Sequence, residues 1–166
     1  MNRKIISVKT MISILDYKAL QRLMVQGRAA GAELAADMGL SAPAAAERVR
    51  KLEQQMVIKG WAALIDPAAV GYPMTAFITV TLDRSKHRAP FLQAIAGLPA
   101  VVECHHIAGD GDYLLKVRCR GTADLDQLLT MAIKGITGVV RTRTTIVLST
   151  WKETVATPVV VTSEPA

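Results

Sequence analysis

The hydrophobic period of this 166-residue chain changes near Pro73. Before that point, apolar residues recur every three or four positions, as they do on one face of a helix. After it, stretches of alternating apolar and polar residues, typical of strands, are interleaved with helical stretches. The later part runs in the order strand, helix, strand, strand, helix, strand. This order predicts a ferredoxin-like βαββαβ domain with both helices on one face of a single sheet, and so an α+β chain.

The elements of this second part have distinct local patterns. The segments HRAPFLQAIAGL and TADLDQLLTMAI are predicted helices, and GVVRTRTTIVLS is a final β-branched strand. Asp110-Gly111 is a strong hairpin signal between two strands, at about 100–108 and 112–120. The first strand, TAFITVTL, alternates between two faces, and its apolar face carries Ala76, Ile78, Val80 and Leu82.

Three helical patterns occupy the first sixty residues. The first stops at Gly27, and the second stops at Gly39, which supplies the left-handed conformation that a tight turn needs. Ser41 caps the third helix, and Pro43 is tolerated in its first turn. A short glycine turn between the second and third helices is typical of a helix-turn-helix. The alternative is a helical bundle in which the alanine-rich third helix is only a good helix former.

Positive charge is concentrated in the same region. Residues 1–60 hold ten Lys and Arg against five Asp and Glu, and residues 61–166 hold ten against nine, which together give the net charge of +6. A basic segment of this kind favours a polyanionic partner, and double-stranded DNA is the predicted one. The third helix would have few donors and modest base specificity. Its residues facing the groove or nearby phosphates would be Ala42, Ala44, Glu47, Arg48, Arg50 and Lys51.

The segment VIKGWAALIDP that follows the third helix has two interpretations. Its alternation around Lys59-Gly60 is compatible with a two-stranded wing that brings Lys59 and Trp61 near the sugar-phosphate backbone. Trp61 could equally be a hinge residue packed between domains, since an amphipathic aromatic suits such a position.

The stretch VVECHHIAGDGDYLLKV contains residue types that are common in metal-binding, phosphate-binding and catalytic sites. His105 and His106 are neighbours on a strand, so their side chains point to opposite faces and cannot share one metal ion. The GDGD turn leads into a strand and not into a helix, so it is not a phosphate-binding loop. We therefore predict no metal site, no cofactor and no catalytic residue.

Pairing across the Asp110-Gly111 turn assigns these side chains to two faces. Val102, Cys104 and His106 are predicted core residues under the helices. On the open face, charges are expected to compensate one another between strands. The residues of that face are Glu103, His105, Ile107, Leu114, Lys116 and Arg118. The simplest partner for such a face is a second copy of the domain.

Targeting signals are not evident in the chain. The opening residues contain Ser7, Lys9 and Thr10 where a signal peptide would be apolar, and no apolar run approaches the roughly 20 residues of a membrane span. A cytoplasmic protein without membrane contact is expected, with Cys104 and Cys119 reduced. The C-terminal VATPVVVTSEPA is expected to be loosely ordered at its end.

Six motifs agree in order and spacing with one family of proteins. They are GR at 27–28, ELAADMGLS at 33–41, ERVRKLE at 47–53, VIKGWAALIDP at 57–67, ECHHIAGDGDYLLKV at 103–117 and TRTTIVLSTWKET at 142–154. The chain thus resembles the leucine-responsive-like branch of the Lrp/AsnC, or feast/famine, transcriptional regulators. The resemblance implies a winged helix-turn-helix over 1–66, an effector-binding and oligomerisation domain over 67–152, and a tail over 153–166. It also implies dimers that assemble into tetramers or octamers.

The resemblance implies binding residues as well. Arg28, Ser41 and Lys59 would join the third helix in contacting DNA. A small effector, usually an amino acid in this family, would lie between dimers against the loop formed by Ala108, Gly109, Asp110, Gly111 and Asp112. Backbone N–H groups of the loop would take the carboxylate of the effector, and Asp112 would take its ammonium group. A plain hairpin turn without a ligand is the alternative.

The chain departs from the pattern of the family at four positions. The family usually has an acid, a Gly, a Thr and an aromatic residue where this chain has Ala19, Met56, Ala108 and Gly111. The leading prediction is a sequence-specific DNA-binding regulator whose assembly responds to an amino acid. Two alternatives stay open. One is a monooxygenase-like or tetrapyrrole-modifying enzyme that uses His105 or His106, and the other is an effector-binding scaffold that has lost DNA binding.

Overall fold

A computed structural model describes residues 11–162 and divides the chain into two compact units. Among the described residues, the first unit contains 11–63 together with 152–162, and the second contains residues 64–151. Residues 152–162 are thus grouped with the N-terminal unit. The expectations about the opening ten residues and about residues 163–166 lie outside the described part of the chain.

Three helices form the first unit: α1 (Ile14–Val25), α2 (Gly31–Met38) and α3 (Ala42–Gln54). The helix α2 ends at Gly39, whose φ of 67° is left-handed, and Ser41 begins α3 as its N-cap. The predicted helix-turn-helix is thus confirmed. Its core is built largely from small side chains, which let the helices approach closely. The buried members are Ala19, Leu34, Ala35, Met38 and Ala45.

Within the described residues, the segment after α3 contains no strand, so the predicted two-stranded wing is not formed. The N–H groups of Val57 and Ile58 both donate to the carbonyl of Leu52, at 2.9 and 3.2 Å, so they close the end of α3 and are not available to a strand pair. Trp61 is half exposed, and its indole Nε1 donates to Glu53 Oε1 at 2.7 Å. In the first unit, Trp61 therefore lies against α3.

The C-terminal segment of the first unit runs beside the start of the chain. The Thr162 N–H donates to the Ile12 carbonyl at 3.1 Å, and the Ile12 N–H donates to Thr162 Oγ1 at 2.9 Å. Further back, the Thr157 N–H lies 3.4 Å from the sulfur of Met24 in α1. Residues 152–162 are thus held by hydrogen bonds to the helical unit.

The second unit has the predicted order of strands and helices. It contains β1 (Met74–Leu82), a 3₁₀ turn (Ser85–His87), α4 (Arg88–Ala96), β2 (Val101–His106), β3 (Tyr113–Cys119), α5 (Thr122–Gln127) continued by a π-helical turn (Leu128–Ile133), and β4 (Val139–Ile146). The strands pair antiparallel in the order β2-β3-β1-β4. The α+β, ferredoxin-like prediction is confirmed.

Both helices of this unit cover the same face of the sheet. The central strand β1 buries Ala76, Ile78 and Val80 completely, as its alternation predicts. The same cluster contains residues of β3 and of the two helices, among them Leu115, Val117, Phe91, Ile95, Leu125 and Ile133. No helix among residues 11–162 has the length and apolar character required to cross a membrane.

The predicted register of β2 is wrong at its beginning. Val101 pairs with Val117, but Glu103 pairs with Lys116, so Val102 is the extra residue of a bulge. Val101 therefore packs against the core, and Val102 is exposed. Cys104 and His106, which we predicted to be core residues, are also exposed. They lie on the expected face, but β2 is an edge strand and the buried core reaches only its first residue. Cys119 is buried.

Met56 holds a backbone conformation that suits glycine. Its φ is 58°, in the left-handed region. The family that the chain resembles usually has Gly at this position. A non-glycine residue in this region costs roughly 1–2 kcal/mol. The Met56 side chain is 66% exposed, so its packing offsets little of this cost.

We predict that Met56→Gly raises the free energy of unfolding of the first unit by about 0.5–1 kcal/mol, because relief of left-handed strain exceeds the added entropy of the unfolded chain. Urea unfolding followed by Trp61 fluorescence in a Trp151→Phe background measures this unit. Met56→Ala is the control, since it keeps a Cβ and should give no comparable gain. Equal stability of the Gly and Ala variants would contradict the account.

Candidate functional sites

The exposed surface of α3 is the candidate nucleic-acid interface. Ser41 accepts a hydrogen bond from the Ala44 N–H at 3.4 Å, so its hydroxyl caps the helix. Ala45 and Leu52 are buried and fix which side of α3 faces the core. Most of the predicted contact residues lie on the exposed side, as expected. They are Ser41, Ala42, Ala44, Glu47, Arg50 and Lys51.

Glu47 and Arg50 form a pair one helical turn apart on this surface. Arg50 Nη2 lies 2.7 Å and Nε 3.0 Å from Glu47 Oε2, so the guanidinium is held by two of its nitrogens. Both side chains are more than 60% exposed. A solvated pair of this kind contributes little stability and can exchange partners when a phosphate approaches.

Arg48 has a different position from the one that its sequence pattern predicted. Its Nη1 donates to Asp16 Oδ1 at 2.7 Å and to Ser13 Oγ at 3.0 Å, which ties α3 to the beginning of α1. Asp16 is only 9% exposed. Arg48 therefore faces α1 and not the exposed side of α3. Spacing along α3 alone did not reveal this partner, although the Ser13-x-x-Asp16 pattern of a capping box was a signal for it.

The Asp16 carboxylate is held by three groups. Ser13 and Asp16 form a capping box in which Asp16 Oδ2 accepts from the Ser13 N–H at 3.0 Å. Burial by itself raises the pKa of Asp16, but the hydrogen bonds from Ser13 and Arg48 outweigh it and hold the pKa below its ordinary value of 3.8. The carboxylate is therefore charged at neutral pH and joins two helices.

The other predicted DNA contacts lie outside the helix α3. Arg28, between α1 and α2, and Lys59, after α3, are both exposed.

An ion pair joins α1 to α2. Arg22 Nε lies 2.5 Å from Asp37 Oδ2, and Arg22 Nη2 lies 3.0 Å from Asp37 Oδ1. This bidentate pair fixes α2 on α1.

The candidate effector loop is a hairpin anchored to β1. The Ile107 N–H donates to the Asp112 carbonyl at 3.0 Å, and the Asp112 N–H donates to the Val80 carbonyl at 2.9 Å. Gly109 and Gly111 have φ values of 145° and 100°, which favour glycine. A Cβ added at Gly111 would lie 2.5 Å from Thr79 Cγ2, so no side chain fits there. An aromatic residue, which the family usually has at this position, would therefore clash with the neighbouring strand β1.

The side chain of Asp112 anchors the loop to β1. Its Oδ2 accepts from the Leu82 N–H at 2.7 Å, and the residue is half-buried. The other members of the loop, Ala108, Gly109 and Asp110, are exposed. The predicted loop residues thus lie together at one end of the sheet. One carboxylate oxygen of Asp112 is occupied by the hydrogen bond from Leu82.

A cavity of about 240 Å³ opens beside this loop. Arg88 Nε donates to the Tyr113 hydroxyl at 2.6 Å, and its guanidinium carbon lies 5.9 Å from the centre of the Tyr113 ring. The two arginines of the cavity, Arg84 and Arg88, were not predicted as site residues. The basic segment RSKHR before α4 was the available signal for them. The walls are formed by Leu82, Asp83, Arg84, Ser85, Arg88, His106, Asp112 and Tyr113.

The open face of the sheet carries the predicted compensating charges. Glu103 Oε1 lies 3.1 Å from Lys116 Nζ, and Glu103 Oε2 lies 3.1 Å from His105 Nε2. The hydrogen bond to His105 is the main cause that lowers the pKa of Glu103, and Lys116 adds to it against the effect of burial. Among residues 11–162, no three His, Cys, Asp or Glu side chains form a group that could hold a metal ion.

Comparison with known proteins gives one family for both units. The profile of the AsnC-type helix-turn-helix domain matches residues 12–53, and that of the Lrp/AsnC ligand binding domain matches residues 75–157. The chain is 36% identical to a leucine-responsive regulatory protein of Haemophilus influenzae over 86% of this chain and 87% of that protein. It is 37% identical to the HTH-type transcriptional regulator FL11 of Pyrococcus horikoshii over 87% of this chain and 95% of that protein.

Solved structures give the same result. A transcriptional regulator from Neisseria meningitidis in complex with L-methionine superposes with a TM-score of 0.86, at 27% identity over 89% of this chain and 97% of that one. A feast or famine regulatory protein from M. tuberculosis complexed with L-methionine has a TM-score of 0.78, at 34% identity over 84% of this chain and 93% of that one.

We predict that Arg48→Ala lowers the free energy of unfolding of the first unit by about 1–3 kcal/mol, because it leaves the Asp16 carboxylate without its cationic partner. Arg50→Ala, which breaks a solvated pair on the same helix, should change it by less than about 0.5 kcal/mol. Urea unfolding followed by Trp61 fluorescence compares the two variants. Equal effects would show that Arg48 does not join the helices.

We also predict a pH dependence that Asp16→Asn removes. Because the folded-state pKa of Asp16 is lowered, its contribution to stability is complete above about 3.8 and is lost as the pH falls through and below that value. The stability difference between the wild-type chain and Asp16→Asn should therefore be largest at neutral pH and shrink in acid. A difference that does not change with pH would contradict this account.

Proposed function

Because the chain belongs to the Lrp/AsnC family of transcriptional regulators, we propose that it binds operator DNA through α3 and that an amino acid bound beside the loop 108–112 controls this binding. The observation that carries the proposal is the pairing of an exposed, basic third helix in one unit with a charged cavity at a glycine loop in the other. Two relatives of known structure hold L-methionine, which supports an amino acid as the class of effector. We propose a regulator acting on DNA in the cytoplasm and no catalytic role.

The proposed DNA contacts divide into two groups. Arg50 and Lys51 on α3, with Arg28 and Lys59 on the flanking segments, supply charge for phosphates. The methyl groups of Ala42, Ala44 and their neighbours allow close approach to the groove and to thymine methyl groups, but they distinguish few bases. Arg48 then contributes by fixing the position of α3 on α1.

Dimer formation is proposed through the open face of the sheet. Phe77 of β1 and Leu114 of β3 lie on this face and are half-buried in the single chain. Arg141 and Arg143 of β4 are exposed on the same face, opposite Thr81 and Thr79. A second copy would cover the apolar side chains and would supply two recognition helices for successive turns of DNA. Further assembly into tetramers or octamers is proposed on the same basis of family membership.

The loop offers complementary groups for the backbone of an amino acid. Gly109 is exposed and has no side chain to shield the neighbouring N–H groups, which suits a carboxylate. Asp112 has one oxygen fixed by the Leu82 N–H, and its other oxygen is directed to the ammonium group in this proposal. The hydrogen bond between Asp112 and β1 would transmit a conformational change of the loop to the sheet.

For the DNA contact, we predict that Arg50→Ala and Lys51→Ala each weaken binding of an operator fragment and reduce the slope of log Kd against log salt by about one. The measurement is fluorescence anisotropy over a series of salt concentrations. Arg120→Ala, which removes an exposed cation of the second unit paired with Asp124, is the matched control and should leave the slope unchanged. An unchanged slope in the α3 variants would contradict the proposed interface.

For the effector, we predict that Asp112→Asn abolishes the response of DNA binding and assembly state to the active amino acid. The amide keeps an oxygen for the Leu82 N–H but loses the charge that the ammonium group requires. Light scattering and anisotropy with each of the twenty amino acids measure the response. Asp126→Asn, which changes an exposed acid of α5 outside the loop and the cavity, is the control, and a normal response in Asp112→Asn would show that the loop is only a turn.

A further inference from the structure

We infer that the effector is a dicarboxylic amino acid, with Asp112 binding its ammonium group and Arg84 and Arg88 binding its two carboxylates in the cavity beside the loop. This inference rests on the proposed function and specifies the ligand class of the same site. The cavity has a volume of about 240 Å³, which suits a ligand smaller than the drug-sized molecules that typical pockets hold.

The walls of the cavity are mostly polar. Leu82 and Tyr113 are the apolar contributions among its lining residues. Tyr113 is only 2% exposed, and its hydroxyl is occupied by Arg88, so its ring offers little free surface. An aliphatic side chain gains about 25 cal/mol for each Å² of apolar surface removed from water, and this cavity has little apolar wall to cover it. The walls that this chain supplies therefore disfavour a leucine-like effector.

The charges of the cavity match a dicarboxylic amino acid group by group. Asp83 is already held by two groups, since its Oδ1 lies 2.5 Å from His87 Nδ1 and the Arg84 backbone also donates to it, and the hydrogen bond from His87 is the main cause that lowers the pKa of Asp83. The remaining charged lining residues are two cations, Arg84 and Arg88, and one anion, Asp112. The two carboxylates and the ammonium group of a dicarboxylic amino acid can pair with these three side chains.

Arg88 is arranged in advance for a carboxylate. Its Nε is fixed on the Tyr113 hydroxyl at 2.6 Å, and the guanidinium lies over the aromatic ring. These contacts leave the two Nη groups for a ligand, and a guanidinium held in one orientation loses less entropy on binding. Arg84 and Asp83 are adjacent in the turn before α4, and Arg84 is exposed at the cavity. Arg84 is therefore assigned to the side-chain carboxylate.

Isothermal titration calorimetry of the full chain tests this inference with six amino acids. L-Glutamate and L-aspartate are compared with L-glutamine and L-asparagine, which have nearly the same shape without the second charge, and with L-leucine and L-methionine. We expect one dicarboxylate to bind at least about tenfold more tightly than its amide, because a charge-assisted pair is replaced by a neutral hydrogen bond.

Variants locate the contact. Arg84→Gln should weaken binding of the dicarboxylate by about tenfold or more and leave binding of its amide nearly unchanged. Lys86→Gln removes a cation two residues away that does not line the cavity, and it should leave both affinities unchanged. Arg88→Gln should weaken binding of both ligands, and thermal unfolding shows whether loss of its Tyr113 contact has affected the fold. The Arg84 variant tests the inference independently of that contact.

The possible outcomes separate this inference from the proposed function. Tighter binding of L-leucine or L-methionine than of any dicarboxylate, lost in Asp112→Asn, would overturn the dicarboxylate assignment and leave the effector site in place. Equal binding of a dicarboxylate and its amide, or an Arg84→Gln variant without effect, would also overturn the assignment. Binding of none of the six amino acids would overturn the dicarboxylate assignment, and the absence of a response to any of the twenty amino acids in light scattering and anisotropy would overturn the effector function itself.

Discussion

The position of the recognition helix depends on one nearly buried carboxylate. Asp16 closes the N-terminus of α1 with Ser13 and accepts a hydrogen bond from Arg48 of α3, so a single charge holds the first helix to the third. The small residues of the core allow the helices to come close, but they specify orientation poorly because they interdigitate little. A charged hydrogen-bond network adds directional contacts that such a core lacks. In the proposed interface, Arg48 fixes α3 on α1 and the exposed Arg50 and Lys51 contact DNA.

The second unit holds the loop 108–112, the proposed effector site, on a rigid support. The central strand β1 is fully buried along one face, and the loop 108–112 is attached to its end through the Val80 carbonyl and the Leu82 N–H. A loop fixed at two points to a core strand can hold a ligand with little loss of conformational entropy. The same attachment gives a bound effector a direct contact with the sheet, whose open face is the proposed dimer surface.

Much of this architecture follows from local patterns in the sequence. The alternation of β1, the glycine turn at Gly39 and the hairpin at Asp110-Gly111 each depend on a few neighbouring residues, and each was predicted correctly. Two of the errors concern features set by distant partners: residues flanking the Val102 bulge pair with β3, and Arg48 pairs with a carboxylate 32 positions away. The wing is lost to a local contact, because the N–H groups of Val57 and Ile58 donate to the Leu52 carbonyl at the end of α3. The cavity arginines were missed because the turn that brings them to Asp112 is a tertiary feature.

The central claim is that DNA binding and amino-acid binding are coupled in one molecule. Its most direct measurement is the affinity of the full chain for an amino acid by calorimetry, with and without saturating operator DNA, beside the affinity for DNA with and without that amino acid. The account predicts that both affinities change by the same factor, because linkage between two sites is reciprocal. If DNA binding is unaffected by every one of the twenty amino acids, or if the chain binds no DNA, the account is wrong.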